Sequence, residues 1–381
     1  IFLYFGNMQN RTQIIGIDSH RKDRLVPALK GRGAVSNNSG RFERFKRDAF
    51  DDGWDVDSSQ PKLKTQIQIE HPKRIITRNQ SPDISFDRSI NPYRGCEHGC
   101  SYCFARPSHA YMGLSPGQDF ERRLFAIPDA AALLANELAD PKYIPKVIAL
   151  GTNTDPYQPI EKNWRITRSI LEVLERTNHP VAIVTKSALV LRDIDILSRM
   201  AEKGLVKVAI SVTTMDKKLS RSMEPRAASP AKRLETLQAL HNAGIPTAMM
   251  VAPIIPALND SEVERILEAG KAVGVEQAGY VMLRLPLEVR DIFRQWLLTH
   301  YPDRYRHVMS LVQAMRDGKD YDAAWGKRMR GSGPYAWMIG RRFEKACSRL
   351  KIGIKGVDLR TDLFEPPLKK NAQLSLFDMA S

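Results

Sequence analysis

From residue 84 onward, short apolar runs alternate with longer amphipathic stretches. Brief runs rich in Val, Ile and Ala read as buried strands, and the 3.6-residue rhythm between them reads as helix. The pattern predicts strands over 84–90, 147–150, 181–185, 206–212, 246–251 and 279–283. It predicts helices over 128–138, 164–176, 189–202, 231–242 and 260–273. Pro128 sits near one helix start, Gly244 closes another, and Asn259 or Asp260 would cap the last. Alternating strands and helices imply a parallel sheet with right-handed crossovers, an α/β class. Six such units fit either a doubly wound sheet or an incomplete barrel, and the pattern does not choose.

The flanks differ. Residues 1–80 read as an irregular, basic segment, with turn-formers at Lys30–Gly33, Ser36–Gly40 and Asp51–Gly53 and little apolar periodicity. Residues 81–285 hold the repeating core, 286–367 a helical extension, and 368–381 a disordered tail. The opening Ile1–Phe5 is too short and lacks the basic lead-in of a signal peptide, and Met8 reads as a start. No apolar run reaches the roughly 18 residues of a membrane span, so the cytoplasm is the expected location. The net charge of +15 is concentrated at the ends: residues 284–370 carry 19 Lys and Arg against 10 Asp and Glu. A near-neutral core with basic flanks suits a catalytic unit that grips a polyanion.

Chemistry concentrates in one loop. Three of the four cysteines lie at Cys96, Cys100 and Cys103, and the fourth, Cys347, is far away. A disulfide framework does not fit so few and so clustered cysteines. Closed zinc sites want four protein ligands, for which only His98 or His109 is near. Fully protein-ligated iron–sulfur clusters want four thiolates. Three leave one metal corner open. Gly95 and Gly99 give the loop freedom to wrap a centre, a helical turn would bring Cys100 and Cys103 together, and Tyr102 and Phe104 offer apolar cover.

This C-x3-C-x2-C string, with an aromatic before its third cysteine, resembles the cluster loop of the radical S-adenosylmethionine superfamily. The resemblance implies a partial (β/α)6 TIM-like barrel with the site at the C-terminal strand ends. It implies a [4Fe–4S] cluster on Cys96, Cys100 and Cys103, and reductive cleavage of S-adenosyl-L-methionine to a 5′-deoxyadenosyl radical. An electron donor such as flavodoxin or ferredoxin is then required. Tyr102 would cover the adenine side of the cofactor, and Thr152 and Asn153, after the second strand, its amine. Lys186 with Ser211, together with Asp155–Pro159 and Val251–Asp260, resembles the spore photoproduct lyase group. There a lysine and a serine at these strand ends reach the cofactor. That group also keeps a hydrogen-donating cysteine near the end of the second strand. This chain has Ala149–Asp155 there, without cysteine. Cys347 reads as a buried helix residue, and a tyrosine such as Tyr157 is a candidate donor.

In the tail, Gln373, Leu374, Leu376 and Phe377 resemble the short peptide by which bacterial repair proteins dock on the DNA sliding clamp. The sequence therefore points to a radical enzyme acting on nucleic acid, DNA favoured over RNA, in repair. The alternatives are modification of RNA or protein, or a non-catalytic metal-cluster module that binds nucleic acid.

Overall fold

The computed structural model describes residues 33–43, 64–354 and 356–367. The clamp-like peptide and most of the basic N-terminal segment lie outside them. In chain order the strands are β1 (Gln66–Ile69), β2 (Ile76–Arg78), β3 (Arg88–Ile90), β4 (Tyr93–Arg94), β5 (Arg123–Ala126), β6 (Ile148–Leu150), β7 (Val181–Thr185), β8 (Val206–Ser211), β9 (Thr247–Ile254) and β10 (Gln277–Met282).

The six strands expected from the sequence are β3, β6, β7, β8, β9 and β10. They lie side by side in that order, all parallel. Each crossover carries its helix, among them Ile166–Arg176, Ile194–Glu202, Pro230–Asn242 and Val263–Ala272. Strand order following chain order is the barrel solution rather than the doubly wound one, which reverses at a switch point. Among the described residues the array does not close. β2 borders β3 antiparallel at one edge. At the other, Gly353 N–H donates to Glu276 O and its carbonyl accepts from Ala278 N–H, while Met282 N–H donates to Met329 O. The edge strand is thus covered by chain from the extension.

Sequence and structure differ at element ends, for local reasons. Residues 84–87 are not strand, and β3 starts at Arg88. The expected helix from 164 breaks at Arg165, whose φ is 51°, so Glu161–Trp164 and Ile166–Arg176 are separate helices. Residues 188–193 and 260–262 are 3-10 turns leading into α-helix. Asn259 makes no cap. Its side chain accepts from Ile255 N–H at 2.6 Å and donates to Thr213 O at 2.8 Å and Pro253 O at 3.0 Å, tying the loop after β9 to the end of β8.

Residues 33–43 and 64–80, expected to be irregular, pack against the core or form strands. Ala34 is buried, and Gly33 lies so close to the cysteine loop that a Cβ there would sit 1.6 Å from Gly99 O. Further strands, β1 and β5, pair parallel beside β4. The extension contributes helices Val289–His300, Tyr305–Ala314 and Gly333–Leu350. The last packs on Val263–Ala272, with Arg342 and Arg349 ion-paired to Glu264 and Glu268 at 2.6 Å each. Among the described residues no helix is long and apolar enough to cross a membrane.

Candidate active site

The cysteine loop leaves β4 and is fixed from every side by backbone and side-chain bonds. Gly95 and Gly99 take φ values of 75° and 67°, which side chains with a Cβ rarely adopt. Cys100 and Cys103 do not share a helical turn. They are joined by a tight turn in which Cys103 N–H donates to Cys100 O at 3.2 Å. Ser101 N–H donates to Met223 O at 2.9 Å. Gln158 grips the loop from the β6 side, accepting from Glu97 N–H at 2.9 Å and donating to Gly95 O at 3.1 Å.

The principal clamp is Arg106, which has no exposed surface. Its guanidinium donates to the carbonyls of Cys100 (2.9 Å), Gly99 (3.2 Å), Pro116 (3.0 Å) and Gly117 (2.8 Å), and to Glu121 Oε1 at 2.5 Å. Glu121, equally buried, accepts in turn from the amides of Gly33 and Ala34. A buried ion pair this well satisfied fixes backbone positions, since every remaining alternative strands a charge.

All four cysteines are free thiols. Cys96 and Cys100 are buried and Cys103 is half-buried. Burial, with Asp155 beside it, pushes the Cys96 thiol well up, and burial raises that of Cys100 to about 12. Metal ions binding here must displace those protons. His98 Nδ1 lies 3.3 Å from Asp155 Oδ2. His109 stacks edge-on against Phe120, with Nε2 against Arg123 O at 2.9 Å. Among the described residues no group of three or more His, Cys, Asp or Glu is arranged to hold a metal ion. The three cysteines are themselves outside that arrangement, though their thiols lie near enough to influence one another; by number, three thiolates suit a cluster with one iron free of protein. Ser101 Oγ, buried between the second and third cysteines, has no partner among the described residues.

The strand ends beside the loop carry the other predicted residues. Thr152 and Asn153 follow β6, half-buried, and Asn153 N–H donates to Asn91 Oδ1 at 3.2 Å. Lys186 follows β7. Its Nζ lies 5.8 Å from the centre of the Tyr102 ring and forms no ion pair among the described residues. Burial pulls its pKa down, but Cys100 and Glu224 outweigh that and raise it, so the ammonium stays charged. Ser211, 4% exposed, ends β8. The tyrosine hydroxyl of Tyr102 donates to Glu224, which also accepts from Thr213 Oγ1 at 2.7 Å and from Arg233. Tyr102 is thus held by a fully buried carboxylate–guanidinium pair. Phe104 provides no cover: it is 44% exposed, with Arg284 over its ring at 4.8 Å.

Two further candidates are buried. Tyr157 is fully buried, its hydroxyl influenced by Asp193 and Glu161. Cys347 is buried in Gly333–Leu350, as expected. Residues not singled out from the sequence prove central. Asp155 accepts from Thr185 Oγ1 at 2.6 Å and from Lys186 N–H at 2.8 Å, besides facing His98. Despite burial, those partners hold its carboxyl at about 2. Asp155 and Gln158 sat inside the Asp155–Pro159 string. Arg106, Glu121 and Arg233 carried no such signal.

Comparison with known proteins agrees with this geometry. Residues 90–270, from the end of β3 through the helix before β10, match the model of the Radical SAM superfamily. An uncharacterized protein of Mycobacterium tuberculosis is 36% identical over 230 residues, covering 59% of this chain and 68% of that protein. One of Methanocaldococcus jannaschii is 31% identical over 219 residues, covering 58% and 78%. Among solved structures, a spore photoproduct lyase variant superposes with a TM-score of 0.56 at 15% identity, over 78% of this chain and 84% of the other. Another, with bound AdoMet and dinucleoside spore photoproduct, gives 0.52 at 13%, over 77% and 82%. The fold is shared with those enzymes, the family match spans loop and strands alike, and the chain belongs to the Radical SAM superfamily, whose cofactors are a [4Fe–4S] cluster and S-adenosylmethionine.

Proposed function

We propose that Cys96, Cys100 and Cys103 hold the cluster, that Lys186, Ser211, Tyr102, Thr152 and Asn153 hold S-adenosylmethionine against its open iron, and that the enzyme acts on nucleic acid in repair. When bound, the reduced cluster and cofactor supply a 5′-deoxyadenosyl radical. The observation that supports the reading is the nearness of three thiols, Cys100 and Cys103 both felt by Cys96, and of the Lys186 ammonium, which is felt by Cys100 and lies 5.8 Å from the Tyr102 ring. A lysine here meets a carboxylate as a point charge. Ser211 offers a hydroxyl beside it. Asp155, through the Lys186 amide and the Thr185 hydroxyl, sets where the lysine starts. The Glu224–Arg233 pair holds the Tyr102 ring edge-fixed beneath the same space. The chain's part is to aim the radical and keep water from it.

The nucleic-acid part is supported by the basic extension and by the dinucleoside named in the neighbouring structures. With no cysteine in Ala149–Asp155 at the end of β6, the spore photoproduct reaction itself is not proposed. A flavodoxin or ferredoxin would deliver the electron. Anaerobic reconstitution should give about four irons per chain, and dithionite with cofactor should release 5′-deoxyadenosine. Absence of both defeats the chemistry. The Gln373–Phe377 peptide supports DNA. A sliding-clamp pull-down that succeeds equally with a chain cut before Leu374 removes that support.

A further inference from the structure

Beside the half-buried Cys103, the ring of Phe104 is exposed under the guanidinium of Arg284, which follows β10. Arg284 has an unusual environment for a half-buried cation. Its Nη1 reaches only the thioether of Met329, at 3.3 Å, and its buried Nε has no hydrogen-bond partner. No carboxylate lies within ion-pair distance among the described residues. Asp83 is near enough to feel its charge, but its oxygens are taken by Arg328 and by Gly326 N–H.

Behind it sits Arg316, 1% exposed. Arg316 donates to the carbonyls of Leu283 (3.1 Å) and Lys327, its Nε is unpartnered, and it too lacks a carboxylate. Burial disfavours its cationic form, as does the nearby Arg284 charge, while Tyr321 and Asp322 act the other way. Two adjacent guanidinium groups with no carboxylate in ion-pair contact favour an anion that completes them. The missing charge is therefore expected from a ligand, and the aromatic face says what accompanies it.

We infer that Arg284 and Phe104, backed by Arg316, form the subsite for one nucleotide of the substrate, phosphate on Arg284 and base against Phe104. Guanidinium groups suit phosphate, and an exposed aromatic ring accepts any unstacked base. The inference rests on the nucleic-acid reading above and adds where the target is held: next to the third cysteine, on the side of the loop that the extension leaves exposed.

The test is fluorescence anisotropy of a labelled single-stranded oligonucleotide, as DNA and as RNA, with cluster-loaded protein under anaerobic conditions across a salt series. Arg284→Ala should weaken binding about tenfold and lower the salt slope by about one. Arg284→Lys should keep the slope. Phe104→Ala should weaken binding with the slope unchanged, and Phe104→Trp should restore it. Arg349→Ala, far along the last helix, should match wild type. Unchanged binding in both Arg284→Ala and Phe104→Ala overturns the subsite while leaving the nucleic-acid reading intact. So does weakened S-adenosylmethionine binding, by calorimetry, with oligonucleotide binding unaffected. A wild type that binds neither DNA nor RNA defeats both.

Discussion

Arg106→Lys isolates geometry from charge in the cluster loop. All five guanidinium N–H groups of Arg106 are used, four on carbonyls and one on Glu121. A lysine keeps the charge but has three donors radiating from one atom. It cannot span the carbonyls of Gly99 and Cys100 on one side and of Pro116 and Gly117 on the other. If it keeps Glu121, at least two carbonyls lose their partner in a site without water access. Each stranded group costs about 1–3 kcal/mol, so Arg106→Lys should destabilise the protein by about 2–5 kcal/mol. That is a large part of the roughly 5–15 kcal/mol that holds most domains together. Arg106→Ala should cost more, because it also leaves Glu121 buried and unneutralised, itself about 3–5 kcal/mol. Urea unfolding followed by circular dichroism measures the loss. Iron per chain after anaerobic reconstitution measures its local consequence, since the Cys100 carbonyl is one of the released groups. An Arg106→Lys protein within about 0.5 kcal/mol of wild type, with full iron, would show that the clamp is not what shapes the loop.

Serine at Cys96, Cys100 or Cys103 should abolish the iron absorption of the reconstituted protein, whereas Cys347→Ser should leave it intact; iron and sulfide assays decide. Lys186→Ala should weaken S-adenosylmethionine binding at least tenfold without lowering iron, as measured by calorimetry on the reconstituted protein; unchanged affinity removes Lys186 from the cofactor site. Asp155, at about 2 when folded against an ordinary 3.8, contributes about 2 kcal/mol by linkage. Its carboxyl is depressed, so that stability is fully present above 3.8 and is lost as pH falls toward 2. Asp155→Asn should therefore be less stable at neutral pH and lose less on acidification, and urea midpoints for the two proteins that run parallel across that window would contradict this.

The six parallel strands were legible because each is a short apolar run between turn-formers, and β7 was legible to the residue. Ends were less so where a single backbone choice decides: nothing in the side chain of Arg165 announces its left-handed conformation. β1 escaped notice because it is largely exposed. The cysteine loop was visible in the sequence as three closely spaced cysteines. Its scaffold was not. Arg106 and Glu121 are charged residues fifteen positions apart with no shared period, and charged residues read as surface until a structure buries them. Glu224 and Arg233 escaped for the same reason.

The extension then has a physical role in the chemistry. Cys100 and Tyr102 belong to a second apolar cluster built with Leu219, Met223 and Ile255 from the barrel mouth and with Leu283, Val289, Phe293 and Trp296 beyond β10. The Trp296 indole N–H, fully buried, donates to Ser222 O at 2.9 Å. This ties the extension to the short helix Lys217–Met223, whose last carbonyl holds Ser101 N–H. The loop is therefore pinned between barrel and extension rather than laid over an open mouth. A radical generated there needs exclusion of water and of stray hydrogen donors, and this apolar cluster supplies it on one face. Phe104, Cys103 and Arg284 mark the face left accessible. The extension thus packs against one face of the loop, while Arg284, just after β10, stands at its open margin.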